Sequence, residues 1–494
     1  MDVKTAIKLY KMADLDSEPK KAHRRYREAL KYYLNKNDIT NKTDGESKAN
    51  ATKDDELLRK SDSRVSNNFH QLLVDQKASY VGSVKPKFDL GNDDLNKIID
   101  TDLGDKFART VQRLVIDSSN GGDAWLHVWL DETEGNKFKY TIVSPEDITP
   151  IYDNSIERKI IAIKREYISL DDETGKNYHF VEFWTAEEAA FFKFEESYLE
   201  MLPNDCIISF DKTALIDEEA ANVLKHKFEG VPFIRFPNNL MHTNDLDKYK
   251  GLIDVYDKVY NGFVNDIEDV QQVILVLTNY GGADLREFMS DLRQSKAIKI
   301  DIDSGGDKSG VDKLTIDIPV EARNSLLEKT LDAIFLQGQG VNPTKLELGN
   351  NSGVALKMLY GLLELKASAL ESEYRVAFNQ LIHYILQAHN KDKDDLEITQ
   401  TWERASVQNW QEKADMVAKL SDVTSKQNIA KNNPLVEDWE KELKLLEEQG
   451  QDSYGTDPNV LAEEVSTGQA GAAGQGGDLR EGVQPKAKAD PKGN

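Results

Sequence analysis

The strongest constraint on the fold is a set of three long amphipathic stretches in the second half of the chain. Between Asp245 and Gln271, Tyr249, Leu252, Ile253, Tyr256, Val259, Tyr260, Phe263, Ile267 and Val270 recur at intervals of three and four residues. That spacing is one face of a helix, about 26 residues and about 39 Å long. Its other face is acidic, with Asp254, Asp257, Asp266, Glu268 and Asp269. A second helix is predicted from Pro319 to Gly338, with Ala322, Leu326, Leu327, Leu331, Ile334 and Phe335 on its apolar side. A third begins at Gly353 and runs to about His389, its buried face marked by Leu359, Leu362, Leu363, Leu370, Tyr374, Phe378, Leu381 and Ile385. At about 37 residues it would span about 55 Å, longer than an ordinary globular helix, so the chain is expected to serve an elongated assembly.

The remainder is read around these helices. Residues 1–62 are polar, with a predicted helix near 18–34, a basic cluster (Lys20, Lys21, Arg24, Arg25, Arg27) read as a solvated face, and then a flexible arm. From 66 to 82 Phe69, Leu72, Leu73 and Tyr80 indicate a helix with Ser66 at its N-cap, interrupted by Gln76. Residues 94–118 continue helically until Gly121-Gly122. Then AWLHVWLDE, FKYTIVS, KIIAIKREY, YHFVEFWT and EAAFFKFEE follow at the short spacing of a meander, and Pro232 and Pro237 close this α+β region. Between the first two long helices, VILVLTNYGG predicts a strand, 285–293 a short helix, and AIKIDIDSGGDKSGVDKLTIDIP two strands around a Gly-rich loop. Residues 394–449 read as a smaller helical unit anchored by Trp402, Trp410 and Trp439, and the Gly/Gln/Ala-rich remainder as disordered.

Few chemistries fit this inventory. The single cysteine, Cys206, excludes disulfide frameworks and cysteine-built zinc sites. None of the eight histidines lies three or four residues from another, the spacing a helical metal pair needs. The segment from Asp301 through Asp303 and Asp307 to Asp312 resembles a calcium loop, but Gly305 replaces a ligand, Asp312 stands where a longer acid belongs, and strand-like sequence flanks it; a hairpin loop is the simpler reading. Gly338-Gln-Gly340 misses the dinucleotide fingerprint, and no phosphate-binding loop, nucleophile elbow or zinc-protease motif occurs. No cofactor or catalytic set is expected. The start of the chain lacks a signal peptide's apolar core and no stretch approaches a membrane span, so a soluble, intracellularly made protein is expected. With 63 Lys+Arg against 87 Asp+Glu, net charge −24, a surface that wraps nucleic acid is disfavoured.

The order of parts, with the segments SNNFHQLLVDQKASYVG (66–82), GGDAWLHVWLDE (121–132), VSPEDITPIYD (143–153), 247–282 and NNSGVALKMLYGLLELKA (350–367), resembles the phage portal proteins of the SPP1-like family over roughly residues 60–390. The resemblance implies an α+β portal fold: an N-terminal helix and arm (1–62), a wing (63–245), stem helix 1 (246–271), a β-containing clip (272–318), stem helix 2 (319–338), a tunnel loop (339–352), a long wing helix (353–391), a helical crown (392–449) and a tail (450–494). It further implies a homo-oligomeric ring, usually of twelve subunits, at one capsid vertex of the virion, assembled in the host cytoplasm. Double-stranded DNA would pass through it, driven by the large subunit of a terminase. A head–tail adaptor, the major capsid protein and a scaffolding protein would be its other partners, with no membrane and no enzymatic activity of its own.

On that resemblance Gly340, Asn342, Pro343, Lys345, Asn350 and Asn351 are expected in the loop that meets DNA, the glycines (Gly338, Gly349 and Gly353 among them) supplying unusual φ values. Asp254, Asp257, Glu268 and Asp269 are expected to line the channel. Arg286, Arg293, Lys296 and Lys299 are expected to meet terminase or adaptor from the clip. The acidity then suits a conduit that repels DNA over about 8–10 Å rather than gripping it. Two other classes stay open: a non-viral helical ring or scaffold, and a hydrolase built on an acidic pair such as Glu187-Glu188.

Overall fold

The computed structural model describes residues 18–41, 61–170, 175–195, 223–270, 274–278, 310–314, 318–345, 353–393, 396–405 and 439–453, with isolated positions 5, 425 and 427. It is a mixed α+β chain. Helix α1 (Glu18–Tyr33) buries Tyr26, Ala29 and Tyr32 and leaves Lys21, Arg24 and Arg27 in solvent. The basic cluster is thus mostly a solvated face, with Arg27 pairing Glu146 at 3.4 Å. The start of the expected flexible arm is built in instead: Asp38–Asn41 forms a 3-10 turn with Ile39 and Asn37 buried. Helix α2 (Phe69–Gly82) begins after Asn68. Ser66 is not its cap, because its hydroxyl donates to the Asn35 carbonyl at 2.8 Å.

Strand β1 (Lys87–Asp89) precedes α3 (Asp93–Leu103) and α4 (Phe107–Gly121). The predicted continuous helix over 94–118 is two helices, because Gly104 turns the chain at φ 60°. Asn92 starts α3 by accepting from Leu95 N at 3.1 Å, satisfying one of the unpaired donors of a helix start.

Strands β2 (Asp123–Asp131), β3 (Lys137–Val143), β4 (Ile148–Tyr152), β5 (Ile160–Leu170), β6 (Asn177–Thr185), β7 (Glu188–Glu195), β8 (Val223–Lys225) and β9 (Phe233–Pro237) make two antiparallel sheets. One has the order β3-β2-β9 and the other is the meander β4-β5-β6-β7-β8. The anticipated meander is present, but FKYTIVS pairs back onto β2 and the meander starts at β4. The prolines that seemed to end the region bracket and close β9; Pro150 lies in β4, and Pro237 ends β9. Both are edge strands, where a missing N–H is tolerated.

Helix α5 (Lys250–Val270) follows a 3-10 turn at Leu246–Lys248. Strands β10 (Ile274–Thr278) and β11 (Gly310–Leu314) pair antiparallel, Ile274 opposite Leu314. Helix α6 (Val320–Gly338) returns along α5: Asp266 pairs with Arg323, while Ile253 clusters with Ile334 and Phe335. The two helices therefore run antiparallel. Helix α7 (Gly353–Ala388), 36 residues, is about 54 Å long as anticipated. Its C-terminal half is the spine of the core, where Phe378 meets the rings of Phe88, Phe107, Phe236 and Trp402 at 4.9–5.8 Å.

Strand β12 (Thr399–Thr401) pairs with β1. Residues around Trp402 therefore pack with the first compact unit, Met1–Val407, and not with a helical crown beginning at 392. The second unit is Gln408–Asn494, in which helix α8 (Trp439–Ser453) extends past the predicted start of the tail. The helices predicted at 285–293 and across Trp410, the strand predicted at AIKIDID (297–303), Cys206 and the rest of the tail lie outside the described residues.

Candidate functional site

The candidate site is the root where α5, α6 and the following loop join the α+β body. Helix α5 enters it through Asp245, and α6 leaves it at Gly338. Between them lies a buried charged node. Asp245 Oδ2 meets Lys77 Nζ at 3.2 Å and Lys366 Nζ at 2.9 Å, and all three side chains are almost wholly buried. Lys77 also donates to Ser119 at 3.0 Å and to Asn238. Asn238 donates to Asp245 Oδ1 at 3.0 Å. Lys366 donates to the Gly338 carbonyl at 3.0 Å, so an ammonium caps the C-terminal end of α6, where the helix dipole favours a cation.

One node therefore joins α2, α4, the entry to α5, the exit of α6 and α7. Burial pulls the Lys77 ammonium down to about 7, against the opposing pull of Asp245. Burial would push the Asp245 carboxyl up, but the ammonium groups of Lys366 and Lys77 hold it well below the usual carboxylate range. Alongside, His70 Nδ1 meets Tyr249 Oη at 2.8 Å and its Nε2 meets Asn120 at 2.9 Å.

The loop root is equally tied down. Gln76 grips one residue of main chain twice: its amide donates to the Val341 carbonyl at 2.8 Å and its oxygen accepts from Val341 N at 3.0 Å. Gly338 and Gly340 are not the residues with unusual φ; Gln339 takes the left-handed conformation at φ 53°. The glycines are there for space, since a Cβ would lie 2.5 Å (Gly338) or 2.2 Å (Gly340) from the Leu73 side chain. Asn342 is buried, and its oxygen accepts from Thr344 N at 3.0 Å, opening the turn Pro343–Lys345. Pro343 is exposed. Asn350 and Asn351, with Gly349, lie outside the described residues, as does the environment of the Lys345 side chain.

The acidic face of α5 needs correction. Asp257 is 0% exposed and accepts from Asn37 at 2.6 Å and from Asn67 main-chain and side-chain nitrogens at 3.1 and 2.7 Å. Burial raises its pKa, against those amide donors. Asp254 accepts from Tyr32 and pairs with Lys250 at 2.9 Å, and Asp266 pairs with Arg323. Asn261 and Asn265 bind the chain at Ser63 and Val65 in the same way. The polar face of α5 is thus a docking strip for residues 35–41 and 61–68, whose unpaired main-chain groups need such partners. Asp257 cannot line an open channel. Glu268 remains exposed, and Asp269 lies in the last turn of α5.

Of the candidate cation ligands, Asp312 sits in the ladder of β11 opposite Val276, while Asp301, Asp303 and Asp307 lie outside the described residues. Arg286, Arg293, Lys296 and Lys299 lie outside them too. Among the described residues no cluster of His, Cys, Asp and Glu suits a metal, and no helix is long and apolar enough to cross a membrane. The charged node was missed by sequence reasoning, although a signal existed. Lys77 lies four after Leu73 and three before Tyr80, and Lys366 lies three after Leu363 and four before Leu370, so both lysines fall on apolar faces.

The sequence profile of the family described as Phage portal protein, SPP1 Gp6-like, matches residues 14–455. The chain is 39% identical over 433 residues to the portal protein of Clostridium phage phiCD119, covering 85% of this chain and 92% of that relative. It is 29% identical over 479 residues to the portal protein of Bacillus phage SPP1, covering 90% of each.

Proposed function

This chain belongs to the SPP1 Gp6-like family of phage portal proteins, and from that premise we propose how its parts serve the portal role. The function is that of the family: a ring at one capsid vertex through which DNA is packaged and later ejected, with docking of tail-side proteins. Proteins of this family are structural components of the virion. The single observation that carries the reading is the match along 14–455, which takes in the long helices, the loop and the body together.

In the detailed reading α5 and α6 form the stem, β10 and β11 belong to the clip, the segment after Gly338 is the tunnel loop, and the body of sheets and α7 is the wing. The crown, expected at 392–449, is assigned here to the chain beyond β12, a reading that the pairing of β12 with β1 supports. Exposed apolar residues on the stem helices support a subunit contact there. Val255 and Ile267 on α5 and Val320, Leu326 and Leu336 on α6 are 43–64% exposed, apolar side chains that a subunit contact would cover. A ring of usually twelve copies covers it.

The mechanism is a passive conduit. Hydrolysis of ATP belongs to the terminase large subunit, and the clip offers Arg286, Arg293, Lys296 and Lys299 to it or to the adaptor. Glu268 and Asp269 at the clip end of α5 keep DNA away from the wall. Lys345 makes the transient phosphate contact, one cation per subunit being weak enough to release. Capsid and scaffolding proteins meet the wing during assembly in the host cell.

The test is DNA packaged per particle for Lys345→Ala and, separately, Glu268→Gln. Reduced packaging in either variant, with rings intact, is the expected result. Unchanged packaging in both would remove these residues from the DNA path.

A further inference from the structure

We propose that each subunit inserts the side chains of Leu240 and Met241 into a cleft at the tunnel-loop root of the next subunit; this rests on the ring reading above and names the contact that closes it. The knob is the turn between β9 and α5. Leu240 and Met241 are each 76% exposed, the largest aliphatic exposure in that part of the chain. Yet the turn that presents them is held from every side. Asn239 Oδ1 accepts from Met241 N at 3.1 Å and Thr243 N at 3.2 Å, and its amide donates to the Thr243 carbonyl at 2.8 Å. His242 adopts φ 53° and its Nδ1 meets Asp123 at 2.7 Å. Behind it Gly122 leaves no room, since a Cβ would lie 2.3 Å from the His242 carbonyl oxygen. A rigid turn that points two aliphatic side chains into solvent gains nothing for the isolated subunit, while pre-organisation of this kind favours binding.

The receiving site lies on the same chain. A cleft of about 380 Å³ opens between α2, α7 and the loop root, lined by Leu72, Ser79, Tyr80, Val341, Pro343 and Tyr360. A cavity of about 150 Å³ accepts a benzene ring, so this one has room for two aliphatic side chains. Leu72 is 39% exposed there although its helix offers it a buried face.

Their placement suits a ring. Knob and cleft lie on different faces of α2: Lys77 reaches Asn238 and Asp245 at the base of the knob, while Leu72, Asp75 and Ser79, about 140–160° from Lys77 around the helix, face the cleft, with Gln76 and Tyr80 at its edges. A subunit carrying a projection on one side and its receptor on the other makes a heterologous, head-to-tail contact, the kind that closes into a cyclic ring. The cleft also contains Val341, so the knob of one subunit would bear on the loop root of its neighbour and couple successive tunnel loops around the channel.

The experiment uses the full chain with Cys206→Ser and the pair Met241→Cys with Ser79→Cys, assembled and treated with a short bis-maleimide. The expected result is a ladder of covalent oligomers on a denaturing gel up to the ring size, absent from either single-cysteine variant. Rings visible in the microscope without a ladder, or cross-links confined to single chains, overturn the knob assignment and leave the ring reading standing. If the Cys206→Ser chain without added cysteines forms no rings, the ring reading falls and this proposal with it. A second variant, Leu240→Ser with Met241→Ser, is expected to lose rings at concentrations where the unaltered chain is fully assembled, with its thermal melt unchanged. Unaltered ring assembly by that variant would also overturn the assignment.

Discussion

At the scale of single residues, the buried ionisable groups decide where the chain is vulnerable. Two buried ammonium groups, with the exposed Lys248 at 3.8 Å, share one carboxylate at Asp245, so removing the acid is far worse than removing one base. Asp245→Asn leaves two buried amines with no carboxylate to hold their protons and is expected to lower stability by roughly 3–5 kcal/mol. Lys77→Met keeps a one-to-one pair and is expected to cost markedly less, a difference that paired denaturant melts would read. His127 is a separate case. It lies between Phe233 at 4.3 Å, Trp184 at 4.6 Å and Trp129 at 5.7 Å, and burial holds its pKa at about 3; burial likewise holds His70 at about 4. An unfolded histidine titrates near 6.5, so between these values the unfolded chain binds more protons than the folded one. The stability contribution is complete above about pH 6.5 and is lost as pH falls toward 4 and 3. The melting temperature is therefore expected to drop on acidification across that window. His127→Phe should flatten the drop by about 3 kcal/mol at pH 4. The Pro232 carbonyl that His127 contacts keeps its bond from Val128 N at 3.0 Å, so the substitution strands no acceptor.

At the scale of elements, the loop after α6 is a flexible-looking sequence with a fixed root. Gly340→Ala is expected to destabilise by about 1–3 kcal/mol, because its Cβ collides with a Leu73 that is itself buried and cannot retreat. Gln76→Ala should instead act locally, releasing both main-chain bonds at Val341 and speeding amide exchange over 341–345 while the global melt moves by about 1–2 kcal/mol.

These cases also mark what was legible in the sequence. Long helices were, because their period repeats many times: α7 runs from Gly353 as anticipated, and the meander strands β5 to β7 stood out by their aromatic and β-branched residues. Short elements set by tertiary pairing were not: β12 exists because Lys87, Phe88 and Asp89 lie opposite it, a fact no local pattern in EITQTWERAS carries. The acidic side of α5 misled for a related reason. Polarity of a helix face is the same signal whether water or another stretch of main chain satisfies it, and here residues 61–68 do. Leu362 and Leu72 misled in the opposite sense, since an apolar residue on a helix stripe need not be buried within its own subunit.

At the scale of the whole molecule, the net charge of −24 and the portal role fit together once each subunit is placed in a ring. A polyanion must slide without being held, and each basic contact would add affinity through released counterions. The same chain leaves apolar side chains of α5 and α6 and the Leu240–Met241 turn in solvent, the surfaces the proposed ring contacts use. The central claim is therefore that this chain closes on itself around a channel. Negative-stain electron microscopy of the purified full-length protein tests it most directly. The account predicts closed rings with a central hole, usually twelve-fold, with a native mass to match that many copies of a 55.8 kDa chain. Monomers at every concentration and ionic strength, with no ring in any field, would contradict it.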